Sequence, residues 1–126
     1  MRHDFAYLKD ILKAAEELTE FVANTDESRL ASKLEQSFVV HSFIIIGEAA
    51  NAIAPEIQAR YPEVPWARIV SLRNRLIHAY FDMDLPLIWN LATTQLDDLR
   101  RRIAEILRIE FPGAEEPPNV PSTSTP

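Results

Sequence analysis

WARIVSLRNRLIHAY, residues 66–80, is the stretch from which the rest of the chain can be read. Its apolar residues recur at three- and four-residue spacing, the period of a helix. With Trp66 set at 0° and about 100° per residue, Ile69 lies near 300°, Val70 near 40°, Leu76 near 280°, Ile77 near 20° and Tyr80 near 320°. Together they define one stripe to be buried. Arg73 falls at about 340°, in the middle of that stripe. Arg68 and Arg75, at about 200° and 180°, fall on the opposite, solvated side. Pro65 stands just before, where proline suits the first turn of a helix. A helix from near Pro65 to near Tyr80 is expected.

Working outward, helical patterns continue on both sides. Upstream, a helix is expected from about Glu27 to Ala54, opening with the stripe Leu30, Leu34, Phe38. From Phe38 to Ile53 it is apolar nearly all round, as in a helix surrounded by neighbours. His41 inside it reads as a satisfied core histidine. Gly47 costs about 1 kcal/mol against alanine there, which close packing on another backbone would offset. Before it, Phe5, Leu8, Leu12, Ala15 and Val22 make an amphipathic first helix with Asp4 as its N-cap. Between the second helix and Pro65, APEIQARYPEVP allows about one helical turn. Downstream, Asp84 is the expected N-cap of a last helix carrying Leu85, Trp89, Ala92, Leu96, Leu99, Ile103 and Ile106, with Pro86 tolerated in its first turn. The fold class that follows is all-α, an antiparallel bundle of four to five helices. Two glycines in 126 residues leave little room for tight hairpins. Residues 1–111 form the bundle. Residues 112–126, proline-rich and without aromatics, are expected to be a disordered tail.

Composition narrows the function classes. A chain 47% hydrophobic and 25% charged is globular in balance. It has no cysteine, which removes disulfides, thiol nucleophiles and thiolate metal sites. His3, His41 and His78 form no ligand spacing, so no metal and no cofactor is expected. The net charge of −6 argues against a broad basic surface for nucleic acid. Between Arg60 and Tyr80, however, four arginines face one glutamate. The opening MRHDFAYLKD is charged at once, and Phe38 to Gly47, the longest greasy run, is too short to span a bilayer. A cytoplasmic protein without a membrane role is expected.

The informative residues are those that break the pattern. An arginine at a core angle is costly unless it is paired or lines a cleft. Asn74 and His78 flank the stripe one turn apart, so Arg73, Asn74, His78 and Tyr80 gather polar chemistry along one edge of it. Glu48 is the matching anomaly of the second helix. Two readings stay open on these grounds. Arg73 and Glu48 can be a structural ion pair, with His78 merely favoured by the helix C-terminus. Alternatively the cluster is a site, with Glu48 holding Arg73.

The segment RNRLIHAY resembles the signature of the HEPN superfamily: an arginine followed by asparagine, four residues, then histidine. The tyrosine at position 80 narrows the resemblance to the HepT-like branch. IIIGEAA (Ile44 to Ala50), Pro65-Trp66 and FDMDLPLIW (Phe81 to Trp89) agree with it, over about residues 4–110. Arg75 fills a variable position of the motif. The resemblance implies a homodimeric helical bundle acting as a metal-independent endoribonuclease, the toxin of a toxin–antitoxin pair. Its partner would be a minimal nucleotidyltransferase of the MNT type. Its catalytic residues would be Arg73 and His78, with Asn74 orienting the imidazole. Tyr80 would be the regulatory residue, the acceptor of AMP from the partner.

The residue types suit the chemistry. RNA brings its own nucleophile, the 2′-hydroxyl. An imidazole, ordinarily titrating near about 6.5, can take and return a proton at neutral pH. A guanidinium offers a planar donor fork to phosphate oxygens. The rival function is a non-catalytic HEPN bundle serving a nucleotidyltransferase as a dimerising or nucleotide-gripping companion. Replacing His78 would leave that role intact.

Overall fold

The computed structural model describes residues 2–78 and 84–113, and all of its regular elements are helical. The first helix, α1 (Arg2–Ala23), buries Leu8, Ile11, Ala15 and Leu18 completely. Its last turn closes when the Asn24 side chain donates to the Glu20 carbonyl at 2.8 Å. The expected second helix begins later than its apolar pattern suggests. Glu27–Ala31 is a 3₁₀ turn, and α2 runs Lys33–Ala52. Asp26 is the reason: its carboxylate accepts from the Ser28 amide at 3.0 Å and from the Ser28 hydroxyl. Such a local side-chain bond favours a turn over a continuing helix.

A short α3 (Pro55–Arg60) fills the stretch expected to hold one turn, and α4 (Trp66–His78) follows. Asp84 caps the next helix as expected, its Oδ1 accepting from the Leu87 amide at 3.1 Å. That last helix is divided at Gln95 into α5 (Leu85–Thr94) and α6 (Leu96–Glu110). The hydroxyls of Thr93 and Thr94 bond back to the carbonyls of Trp89 and Asn90, an arrangement that bends helices. Of residues 112–126, where the tail was expected, 114–126 lie outside the described residues, as do residues 79–83.

Asp4 corrects an expectation. It lies inside α1 rather than at its cap, is 5% exposed, and accepts at 3.0 Å from the amide of Ala54. Ala54 is the residue before α3, so this buried carboxylate ties the start of α1 to the corner after α2. A second clamp holds the far end of α3. Arg60 presents its fork to Glu110 at 2.9 and 2.7 Å, and the Tyr61 hydroxyl donates to the same carboxylate at 2.7 Å. Arg60 and then Tyr61 hold the Glu110 carboxyl below its usual range. Burial, and then the bond to Glu110, push the Tyr61 phenol up to about 12.

Helix α1 sits at the centre, packing on α2, α5 and α6, while α2 also carries α4. Helix α4 has α2 as its main neighbour. The bundle is therefore open on one side. Between α4 and the α5–α6 arm runs a groove of about 390 Å³, floored in part by Phe43 and Ile46 of α2. No described helix is long and apolar enough to cross a membrane.

Candidate functional site

The site starts from Gly47. A Cβ built there would lie 2.2 Å from the Arg73 Cβ, 2.8 Å from its Cγ and 3.2 Å from the Ile69 carbonyl oxygen. The missing side chain lets α4 come down onto the backbone of α2 at Arg73. This is the close packing expected of a glycine inside an apolar helix, and its partner is the stem of the anomalous arginine. The stem lies along α2, and the charged head emerges one residue further on.

There the Arg73 Nη2 stands 3.3 Å from Glu48 Oε1, and Nη1 donates to the side-chain carbonyl of Asn74. The two anomalies of the sequence thus meet. The pair is not a buried one, however. The Glu48 side chain is 56% exposed and that of Arg73 20%. In an apolar run Glu48 was expected to lack water. It sits instead on the one open sector of α2. An ion pair so exposed is worth little to stability, about 0–1 kcal/mol, and its guanidinium can be reached from outside. The Arg73 Nε is buried and finds no acceptor among the described residues.

Asn74 engages Arg73 rather than His78. The expected bond from Asn74 to the imidazole is absent among the described residues, and the amide oxygen accepts from the guanidinium instead. His78 stands exposed in the last turn of α4, one turn beyond Asn74 on the same edge. Tyr80, named as the regulatory residue, lies outside the described residues. Arg73, Asn74 and Glu48 are therefore in contact, with His78 beside them on one helix. Among the described residues no three His, Asp or Glu side chains come together as metal ligands would.

His41 corrects a further expectation. It is exposed, on the sector of α2 that also carries Leu34, Phe38, Ile45 and Glu48. That sector was read as covered because it is apolar, yet Leu34 is 80% exposed. Ile77 of α4, placed in the buried stripe by its angle, is 45% exposed. The cause is shared: α4 rests mainly on α2, so neither helix has a neighbour on this face. That Gly47 seats Arg73 in particular was not read from the sequence, although a glycine inside an apolar helix signalled close packing there.

A sequence model of the family described as ribonuclease HepT-like matches residues 11–106. Curated relatives agree over most of the chain. A protein of Methanocaldococcus jannaschii named "Putative RNase" is 33% identical over 99 residues, covering 78% of this chain and 91% of the relative. A "Probable ribonuclease HepT" of Thermococcus cleftensis is 33% identical over 101 residues, 79% of this chain and 92% of the relative. A second "Putative RNase", of Caldanaerobacter subterraneus subsp. tengcongensis, is 32% identical over 105 residues, 82% and 94% of the two chains. No solved structure matches.

Proposed function

This chain belongs to the ribonuclease HepT-like family, and on that premise we propose that it is an endoribonuclease that cuts RNA without a metal ion, using Arg73 and His78. The observation that carries the reading is the partly exposed guanidinium of Arg73, held by Glu48 and Asn74, with His78 exposed one helical turn beyond Asn74. In the proposed reaction the 2′-oxygen of RNA attacks the adjacent phosphorus while His78 accepts its proton. Arg73 donates to the phosphate oxygens as charge builds on them. The 5′-oxygen departs and takes a proton, leaving a 2′,3′-cyclic phosphate and a 5′-hydroxyl. Purified protein given single-stranded RNA in excess EDTA tests this. Cleavage with cyclic-phosphate ends is expected; cleavage that needs added divalent metal, or that leaves 5′-phosphates, would overturn the mechanism.

The working unit in this reading is a symmetric dimer, with the two motif helices facing one cleft. Leu34 and Phe38 of α2, with Ile77 of α4, leave apolar surface exposed in the single chain. A second copy of the same face is the self-complementary way to bury it. Replacing Leu34 and Ile77 together by glutamate should leave the exposed side of each helix folded and raise the dimer dissociation constant at least tenfold. Light scattering at micromolar concentration reads this, and a wild-type monomer there would remove the dimer.

The protein acts, on this proposal, as the toxin of a toxin–antitoxin pair, neutralised by a minimal nucleotidyltransferase of the MNT type. Tyr80 is the proposed acceptor of AMP. A phosphodiester seven residues beyond Arg73 in sequence would bring a negative charge and competing acceptor oxygens for the arginine that substrate phosphate needs. Tyr80→Phe should keep most cleavage activity and escape neutralisation. Co-expression with the nucleotidyltransferase and intact-mass measurement checks it: gain of AMP by wild type alone is expected. Equal neutralisation of both proteins would leave control to complex formation.

A further inference from the structure

The groove between α4 and the α5–α6 arm lies on the flank of α4 opposite the apolar face just described. Its floor includes Leu72, Leu87 and Leu91, and Leu87 is 37% exposed. Its rim carries Arg68 and Arg75 from α4 and Arg102 from α6. One carboxylate, Asp98, shares that rim. It is already engaged, accepting from Arg102 Nε at 2.8 Å and pairing with Arg101 at 3.7 Å.

Ion pairing across the chain sets this rim apart. Arg60, Arg73, Arg100, Arg101, Arg102 and Arg108 each stand within 4 Å of a carboxylate. Arg68 and Arg75 have none within that range among the described residues. In a chain with a net charge of −6, carboxylates are plentiful, so two guanidiniums on one helix without a partner among the described residues are not a matter of scarcity. They are spaced by seven residues, two turns or about 10.5 Å along one side of α4. Both overlook the same apolar floor. Positive charge along a groove with an apolar bed is the arrangement that holds a single-stranded nucleic acid, phosphates on the rim and bases below.

The groove opens toward the His78 end of α4 through Arg75 on its rim. Arg75 lies one turn before His78 and about 60° round the helix from it. A strand whose reacting phosphate reaches His78 can pass from there over Arg75. It then descends toward Arg68.

We propose that this groove is a substrate subsite, which binds the single-stranded RNA flanking the cut through Arg68 and Arg75 while its bases lie on Leu72, Leu87 and Leu91. The assignment rests on the ribonuclease reading above for its substrate and adds a path away from the reacting phosphate. It makes substrate length matter: RNA long enough to reach Arg68 gains affinity that a dinucleotide does not.

The test uses the full-length protein and a fluorescein-labelled 12-nucleotide RNA blocked against cleavage by 2′-O-methyl groups. With Arg68→Ala and Arg75→Ala combined, the dissociation constant should rise at least tenfold at low salt. Its dependence on salt should flatten by about 1.4 in log–log slope, two phosphate contacts at about 0.7 each. Arg108→Ala, on the far part of α6 and paired with Glu105, is the control for mere loss of charge. With a cleavable 12-mer the double variant should raise KM far more than with a dinucleotide. A change in 12-mer affinity of less than twofold would overturn the subsite and leave the groove to a protein partner. If AMP displaces the labelled 12-mer as well as unlabelled 12-mer does, the groove holds a free nucleotide, and the strand path falls. The blocked and the cleavable RNA together separate the two readings. Binding of the blocked 12-mer through Arg68 and Arg75 without any cleavage of the cleavable 12-mer by wild type sinks the ribonuclease and keeps the groove. Cleavage with no effect of the double variant does the reverse.

Discussion

Alanine at His78 or at Arg73 should each lower the rate of RNA cleavage by about 10²-fold or more, with the helices intact. A positioned general base or acid contributes typically about 10²–10⁴-fold. A preorganised donor to developing negative charge contributes about 10²–10³-fold. The structural cost differs between the two. His78 is exposed in the last turn of α4, so its loss should leave the melting temperature within a degree or two. Arg73 lays its stem against Gly47, and its truncation removes that packing as well as the charge. A drop of several degrees with retained helical circular dichroism is expected there.

Arg73→Lys sharpens the test. One guanidinium reaches Glu48 through Nη2 and Asn74 through Nη1. An ammonium is a point charge and does not reproduce that fork. Lysine should restore the melting temperature better than it restores the rate. If His78→Ala cleaves RNA as fast as wild type, catalysis does not run through this motif. If wild type itself cleaves no RNA, the bundle is the non-catalytic companion of a nucleotidyltransferase.

What the sequence made legible follows from how local each signal is. The Asp84 cap is a three-residue event, and it formed as read. Asp4 looked like the same signal, but its carboxylate found the amide of Ala54, fifty residues away, a contact that no local pattern encodes. The site residues were legible because Arg73 and Glu48 each break an apolar pattern, and a buried charge seeks its opposite. Their exposure was not legible. Periodicity shows which side of a helix is apolar but not whether a neighbour is present to cover it. His41, Leu34 and Ile77 were therefore placed inside and are found outside. The same gap hid the groove. Arg68 and Arg75 were read as solvated, which they are, but that no described carboxylate pairs with them is a property of the packed chain.

Gly47→Ala carries the second large effect, and it sets two opposing forces against each other. Alanine should stabilise α2 in isolation by about 1 kcal/mol through helix propensity. Against this, the new methyl would fall 2.2 Å from the Arg73 Cβ and 3.2 Å from the Ile69 carbonyl. Neither atom is the end of a flexible side chain, so rotation gives no relief, and α4 itself has to move. Overpacking of this kind costs about 1–3 kcal/mol, enough to cancel the propensity gain and exceed it. Helix α4 rests mainly on α2, which lets it lift rather than unfold. The consequence is an asymmetry between stability and function. The melting temperature should fall by only a few degrees, while Arg73 and His78 shift together relative to Glu48. A displacement near 1 Å at a reacting centre can cost about 10²-fold in rate. Gly47→Ala should therefore resemble Arg73→Ala in activity, although it removes no functional group. Cleavage assays alongside thermal melts decide it: a variant as active as wild type would mean that α4 approaches α2 less closely than Gly47 allows, and that the glycine does not seat the arginine.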